Sequence, residues 1–205
     1  MRRIRVKAEA ASFDLIREAL ARPGEGSSDF DLNPSFRAGT ETKLRPAGVL
    51  IPLIEKGGEL HVILTQRASH LKHHPGQIAF PGGKQDEGDV DATAAALREA
   101  QEEIGLPPGL VEVLGHLPPH ETVSIFSVTP VVGRITGDFT RRAEPGEVAE
   151  IFDVPLRHVL DPANYAVQGR RWRGQTRHYF TVPWGPYYIW GATARMLRVL
   201  ADRLG

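Results

Sequence analysis

The stretch FPGGKQDEGDVDATAAALREAQEEIGL, Phe80 to Leu106, decides the fold. Its second half reads as a helix: at about 100° per residue Leu97, Ala100 and Ile104 share one face, the expected buried stripe. Glu99, Glu102 and Glu103 share another face, at positions i, i+3 and i+4. Three carboxylates on adjacent turns repel one another unless a cation sits among them. Hard divalent ions such as Mg²⁺ take oxygen ligands of this kind, together with waters and substrate phosphates. The plainer alternative is a solvated acidic face relieved by Arg98 pairing with Glu102 at i, i+4.

The first half of the stretch weakens that alternative. Pro81, Gly82 and Gly83 follow an apolar run, so a strand ends in a loop with unusual backbone freedom. Lys84, Asp86, Glu87 and Asp89 come next, with Asp89 or Asp91 as the helix N-cap. Gly105 and the pair Pro107–Pro108 close the helix. Strand, glycine loop, acidic helix and glycine stop make a unit suited to holding a metal against phosphate.

Upstream, residues 47–54 (AGVLIPLI) and 60–66 (LHVILTQ) read as a hairpin of two largely buried strands around Gly57–Gly58. Arg67 emerges at the strand end, where a guanidinium fork suits a phosphate as well as a surface ion pair. In HLKHHPG, three histidines tempt a metal reading, but imidazole suits zinc better than Mg²⁺ and no fourth ligand is evident. His74 is expected to order the loop or touch substrate, and His70 and His73 to be solvated. Downstream, residues 110–117 and 127–135 read as strands, with Pro130 arguing for an edge or a bulge. The loop PPHETVSIF between them is expected to border a cleft.

The downstream half of the stretch resembles the box of the Nudix hydrolases, G-x5-E-x7-R-E-U-x-E-E-x-G-U, through Arg98, Glu99, Glu102, Glu103, Gly105 and Leu106. The upstream half departs from it: counting back from Arg98, Lys84 stands at the box glycine and Val90 at the box glutamate, or Gly83 and Asp89 do with one extra residue between. The segment from Ile63 to Asp86, ILTQRASHLKHHPGQIAFPGGKQD, is similar to the pattern L-L-T-x-R-(S/A)-x3-L-(R/K)-x-H-x-G-(Q/E)-h-x-F-P-G-G-x-x-D of the coenzyme A pyrophosphatase branch, in which h is aliphatic. Leu64, Thr65, Arg67, Leu71, His74, Gly76, Gln77, Phe80 to Gly83 and Asp86 fall on it.

The resemblance implies an α/β fold, the Nudix α/β/α sandwich with a mixed curved sheet between helices. It divides the chain into an N-terminal helix and loop extension, 1–44, and a Nudix hydrolase domain, 45–205. It implies Mg²⁺ or Mn²⁺ held by Glu99, Glu102 and Glu103, with Arg98 orienting a glutamate and Glu147 as auxiliary base. Glu147 has an equally ordinary reading as a carboxylate at a helix N-terminus. Substrate contacts are implied for Arg67, His74, Gly82, Gly83 and Lys84, the glycine N–H groups approaching phosphate or the metal shell. The implied reaction is hydrolysis of coenzyme A or its thioesters to 3′,5′-ADP and the 4′-phosphopantetheine moiety. ADP-ribose or a dinucleoside polyphosphate is an alternative substrate. A non-catalytic nucleotide sensor is a further alternative, against which the intact REAQEE argues.

Composition sets outer bounds. At 205 residues the chain suits one domain with a real core. Lys+Arg and Asp+Glu balance at 25 each, so no global field draws in nucleic acid or an anionic membrane, and a phosphate-rich small-molecule substrate must meet a local basic cluster. RRWRGQTRHYF, from Arg170, is one such segment: such a mixture can bind nucleic acid, but on a neutral chain a hairpin near the cleft is expected, placed for its arginines to meet a 3′-phosphate and for Trp172 or Tyr179 to stack on adenine. Zero cysteines exclude disulfides, a thiol nucleophile and cysteine-bound zinc, and fit a reducing, cytoplasmic setting. No apolar signal core follows MRRIRVKAEAAS and no run is long enough to span a bilayer. A homodimer is compatible with the pattern. Residues 13–20 and 189–204 read as helices, the latter with Trp190, Ala194, Leu197 and Leu200 or Ala201 as a core stripe.

Overall fold

The computed structural model describes residues 11–37, 43–172 and 174–205, apart from the side chain of Trp172. The charged N-terminal segment noted above lies outside them, except for its last residues.

Two long strands, β2 (Arg45–Lys56) and β3 (Glu59–Arg67), form the predicted hairpin, with Lys56 facing Glu59 across a two-glycine turn in which both φ angles are positive. They pair only from Leu53–Val62 to Lys56–Glu59; beyond that the hairpin forks. Into the fork runs the FPGG segment. Strand β4 (Ile78–Ala79) pairs with β3, and β5 (Gly82–Lys84) pairs with β2 opposite Ala47 to Val49. Pro52 explains where the fork opens. Leu50 turns its N–H toward the inserted segment, donating to Pro81 at 2.9 Å. Residues two apart point the same way, so the missing N–H of Pro52 faces the opening.

The remaining strands complete a mixed nine-stranded sheet. β8 (Phe126–Ile135) lies parallel to β2, with β6 (Val111–His116) and β7 (His120–Glu121) antiparallel on its other side. β9 (Val148–Pro155) pairs with β3, and β1 (Ser27–Ser28) with β7. Pro130 therefore sits in an interior strand, not at an edge. Its carbonyl accepts from Leu117 N at 3.0 Å, so its missing N–H points at the break between β6 and β7, where no ladder partner is lost.

Helices cover both faces. α2 (Ala92–Ile104) packs Ala96, Ala100 and Ile104 on Leu50, Ile63, Val131 and Ile135. On the other face α1 (Phe13–Ala21), α3 (Leu156–Leu160) and α4 (Gly191–Leu204) cover Ile51, Leu53, Val62, Leu64 and Val132. The central strands are buried on both sides, which is why they read as continuous apolar runs. α2 approaches β2 closely: a Cβ on Gly48 would lie 1.9 Å from the Ala92 carbonyl oxygen, so the contact demands glycine below and alanines above. Leu97 is only partly buried; Ala96 takes its place in the stripe. A separate hairpin, β10 (Ala166–Trp172) and β11 (Gln175–Thr181), completes the structure, as expected for RRWRGQTRHYF.

Candidate active site

The box helix is set by its ends. Asp91, not Asp89, is the N-cap: its Oδ1 accepts from Ala94 N at 2.8 Å. Gly105 closes the helix in the left-handed conformation, φ 72°. Asp89 is free for another task. Its carboxylate takes Nε and Nη2 of Arg98, the latter at 2.9 Å, and the N–H of Asp86. These charged partners hold its pKa below the usual carboxylate value. Val90 is 90% exposed. Asp89 thus stands where the absent box glutamate would lead, one residue off the expected spacing and one methylene shorter.

Arg98 is the hub. Besides Asp89 it donates to Glu99 Oε1 at 3.0 Å, to Glu102 Oε2 at 3.1 Å and to the Lys84 carbonyl at 3.2 Å. It contacts acids and the glycine strand. Glu103 is buried, and its Oε2 accepts from Gly82 N at 3.2 Å. Burial pushes the Glu103 pKa up to about 8, opposed by the Gly82 bond and by Arg67 and assisted by Glu99 and Glu147. Burial also raises Glu99, which Arg98 counteracts and Glu102 and Glu147 reinforce.

Two glycines let the strand lie on these acids. A Cβ on Gly83 would stand 2.4 Å from Glu99 Oε1; one on Gly82 would meet the Gly48 carbonyl oxygen at 2.5 Å. The Gly82 N–H is committed to Glu103, so this amide serves the glutamate and not phosphate. Glu147 follows a turn in which its N–H donates to the Glu144 carbonyl, and its own carbonyl accepts from Ala68 N. The next residue begins β9, so the helix-terminus reading of Glu147 falls away. Glu144, in the same polar stretch, has a buried Oε2 without a hydrogen-bond partner among the described residues.

On the other side of the glycine strand opens a cleft of about 780 Å³. Arg67, His74, Gly82, Gly83 and Lys84 all line it, as do residues 122–124 of the expected border loop. Glu99, Glu102, Glu103 and Glu147 are not among its lining residues. Arg67 has a buried Nε without a partner. His74 adopts φ 56° and bonds Gln77 Oε1 at 3.0 Å, ordering its loop. His70, expected to be merely solvated, donates to the Gly146 carbonyl at 3.1 Å and ties that loop to the Glu144–Glu147 turn.

Whether the acids fit a metal can be tested on their chemistry. The donors are carboxylate oxygens only, and burial with mutual repulsion disfavours the charged forms of Glu99 and Glu103, a cost that a hard cation would offset. As placed, Arg98 holds Glu99 and Glu102 and Gly82 holds Glu103, and among the described residues no three acidic or histidine side chains converge tightly enough to chelate an ion.

The far wall of the cleft joins the expected hairpin to pieces that the sequence pattern does not mark. Asp29, Asp31 and Leu32 come from the N-terminal segment, Trp190 and Arg195 from the start of α4. Trp190 caps α4 and meets Tyr179 edge-on at 5.0 Å, where the helical stripe had been extended one residue too far. Asn33 is buried and clamps the hairpin: it donates to the His178 carbonyl and accepts from His178 N, both at 2.7 Å. His120, fully buried, bonds Ser27 Oγ at 2.8 Å and Asp29 Oδ1 at 3.3 Å. Burial works to raise the Asp29 pKa, but His120, the Val123 N–H and Arg177 overcome it and hold it low.

The family model described as NUDIX domain matches residues 44–173. The chain belongs to the Nudix family. Proteins named uncharacterized Nudix hydrolase NudL, from Enterobacter sp. (strain 638) and Escherichia coli (strain K12), are each 44% identical over 161 residues, 78% of this chain and 83% of the relative. A Nudix domain of Shewanella oneidensis NrtR, solved with ADP ribose, shares the fold at TM-score 0.50 and 16% identity over 84% of this chain and 93% of that one. The protein is a Nudix hydrolase, a family that uses divalent ions such as Mg²⁺ or Mn²⁺. Among the described residues no helix is long and apolar enough to cross a membrane.

Proposed function

We propose that this Nudix hydrolase cleaves the diphosphate of coenzyme A or its thioesters, as a cytoplasmic enzyme, giving 3′,5′-ADP and 4′-phosphopantetheine or its acyl form. One observation supports the reading above others. Of the residues that match the coenzyme A pyrophosphatase pattern, Arg67, His74, Gln77, Phe80, Gly82 and Gly83 line a single cleft.

The chain's own groups divide the work. Arg67 and Lys84 offer positive charge to the diphosphate, Arg67 through a guanidinium whose Nε lacks a protein partner. Arg98, fixed by Asp89, orients Glu99 and Glu102. Glu99, Glu102 and Glu103 are the residues that would hold Mg²⁺ or Mn²⁺. The ion supplies charge neutralisation at the phosphoryl oxygens and a lowered pKa for bound water. Glu147, within electrostatic reach of Glu99 and Glu103, is the auxiliary base. The substrate is a small molecule; neither nucleic acid nor membrane is required.

A panel assay with Mg²⁺ or Mn²⁺ tests this: coenzyme A, its acyl esters, ADP-ribose and diadenosine polyphosphates. Coenzyme A or an acyl ester should turn over fastest. Turnover of ADP-ribose without coenzyme A would reject the substrate while leaving the family standing.

A further inference from the structure

The turn that carries Glu147 is held at its tip by hydrogen bonds, not by packing. Pro145, Gly146 and Glu147 are all exposed, so no apolar burial fixes them. The β3–β9 ladder slips just beyond: Gln66 faces Glu150 and Arg67 faces Val148, which leaves Ala149 as an extra residue on β9. Backbone groups tie the two ends of the turn. Glu144 N donates at 3.0 Å to the Glu103 carbonyl, in the last turn of the box helix, where helical partners run out. Ala68 N donates at 2.8 Å to the Glu147 carbonyl. The tether at the middle is a side chain: His70 Nε2 donates to the Gly146 carbonyl at 3.1 Å. His70 is itself firmly based, because its loop is closed at the neck. Arg67 N donates to the Gln77 carbonyl at 2.9 Å, and Gly76 N to the Arg67 carbonyl at 3.1 Å.

From this arrangement we infer that His70 is a positioning residue: through the Gly146 carbonyl it fixes the turn that presents Glu147 to Glu99 and Glu103. The inference rests on the proposed role of Glu147 as auxiliary base. Glu147 stands within electrostatic reach of both box acids, so a small shift of its turn changes where its carboxylate lies relative to them. Displacing a catalytic group by about 1 Å costs up to about 10² in rate. His70 is exposed and is not among the residues lining the cleft, so its loss should act on kcat and not on KM.

Steady-state kinetics of the full chain with Mg²⁺, with amide hydrogen exchange of residues 144–148 alongside, tests this. The fastest substrate of the panel above serves, so failure of coenzyme A as substrate leaves the test standing. His70→Phe keeps a ring and removes the donor: kcat should fall about tenfold with KM within about twofold. Exchange of the Glu147 and Val148 N–H groups should quicken severalfold at unchanged Tm. His70→Gln, whose amide nitrogen reaches about as far as Nε2, should restore kcat to within about threefold of wild type. In a Glu147→Gln background His70→Phe should add no further loss. Unchanged kcat or exchange in His70→Phe, a rise in KM alone, equal losses in the Phe and Gln variants, or losses that add to that of Glu147→Gln would overturn the positioning role. Glu147→Gln at the wild-type rate rejects Glu147 as base, and the positioning role with it. An impaired Glu147→Gln beside a normal His70→Phe rejects His70 alone.

Discussion

The two walls of the cleft are built on different principles. The box wall is made of neighbours in sequence: one helix, one glycine strand and the residues that join them, locked by Arg98 to Asp89, Glu99, Glu102 and the Lys84 carbonyl. The far wall is made of pieces remote in the chain. Asn33 reaches His178, Ser27 and Asp29 reach His120, Asp31 reaches Arg195, and Arg37 pairs with Glu121. Against the glycine strand of the first wall lie Glu99 and Glu103 of the box helix; the second wall carries Arg170, Arg171, Arg177 and Arg195. The proposed chemistry thus rests on a locally encoded unit, while the opposite surface is assembled by long-range contacts.

Four experiments sharpen or break that division. Glu103→Gln should lower kcat by roughly 10²–10³, since it removes one charge from the proposed metal cluster. Its amide can still accept from Gly82, so Tm should hold; near-normal activity with Mg²⁺ would take Glu103 out of the site. Gly83→Ala should cost roughly tenfold in kcat but only about 1 kcal/mol in urea unfolding, because the added methyl displaces the flexible Glu99 carboxylate and no backbone. Wild-type kinetics in that variant would show that the position of Glu99 does not matter.

On the far wall the losses should be smaller and of another kind. Asn33→Ala leaves the His178 N–H and carbonyl without partners, a cost of about 1–3 kcal/mol. KM should rise severalfold while kcat stays within roughly twofold, a split that a purely structural role would not produce. The mildest effect concerns pH. The folded protein holds the Asp29 pKa below its ordinary 3.8, so its stabilising contribution is complete above that value and is lost as pH falls through the folded pKa. The stability gap between wild type and Asp29→Asn should therefore be constant near neutrality and shrink as the pH falls below about 4. A gap that widens with acid would mean that burial, not His120 and Val123, dominates Asp29.

The unequal readability of the walls has the same cause. The box helix, its Gly105 stop, the β2–β3 hairpin and the β10–β11 hairpin follow from period and turn chemistry within a few residues. The alternatives left open at Asp89 and Val90 needed coordinates, because one inserted residue changes which side chain faces Arg98. Pro130 misled for a related reason: proline forbids a hydrogen bond, and only the arrangement of β6 and β7 shows that none was due there. Trp190 falls in a helical stripe whose neighbours the sequence does not give, and no local pattern marks Arg195. Asp29, Asp31 and Asn33 sat in a Gly-, Ser- and Asp-rich stretch with no period at all.

Local pattern in the chain therefore dictates the acidic helix, the glycine strand that lies on it and the apolar runs of a sheet covered on both faces, since each depends on contacts a few residues long. Three-dimensional packing alone decided that Asp89 anchors Arg98, that the FPGG segment enters the fork opened at Pro52, and that an asparagine near the N-terminus grips a hairpin 145 residues away. Hydrogen bonds across such separations leave no periodic trace, because nothing in the sequence between the partners has to repeat.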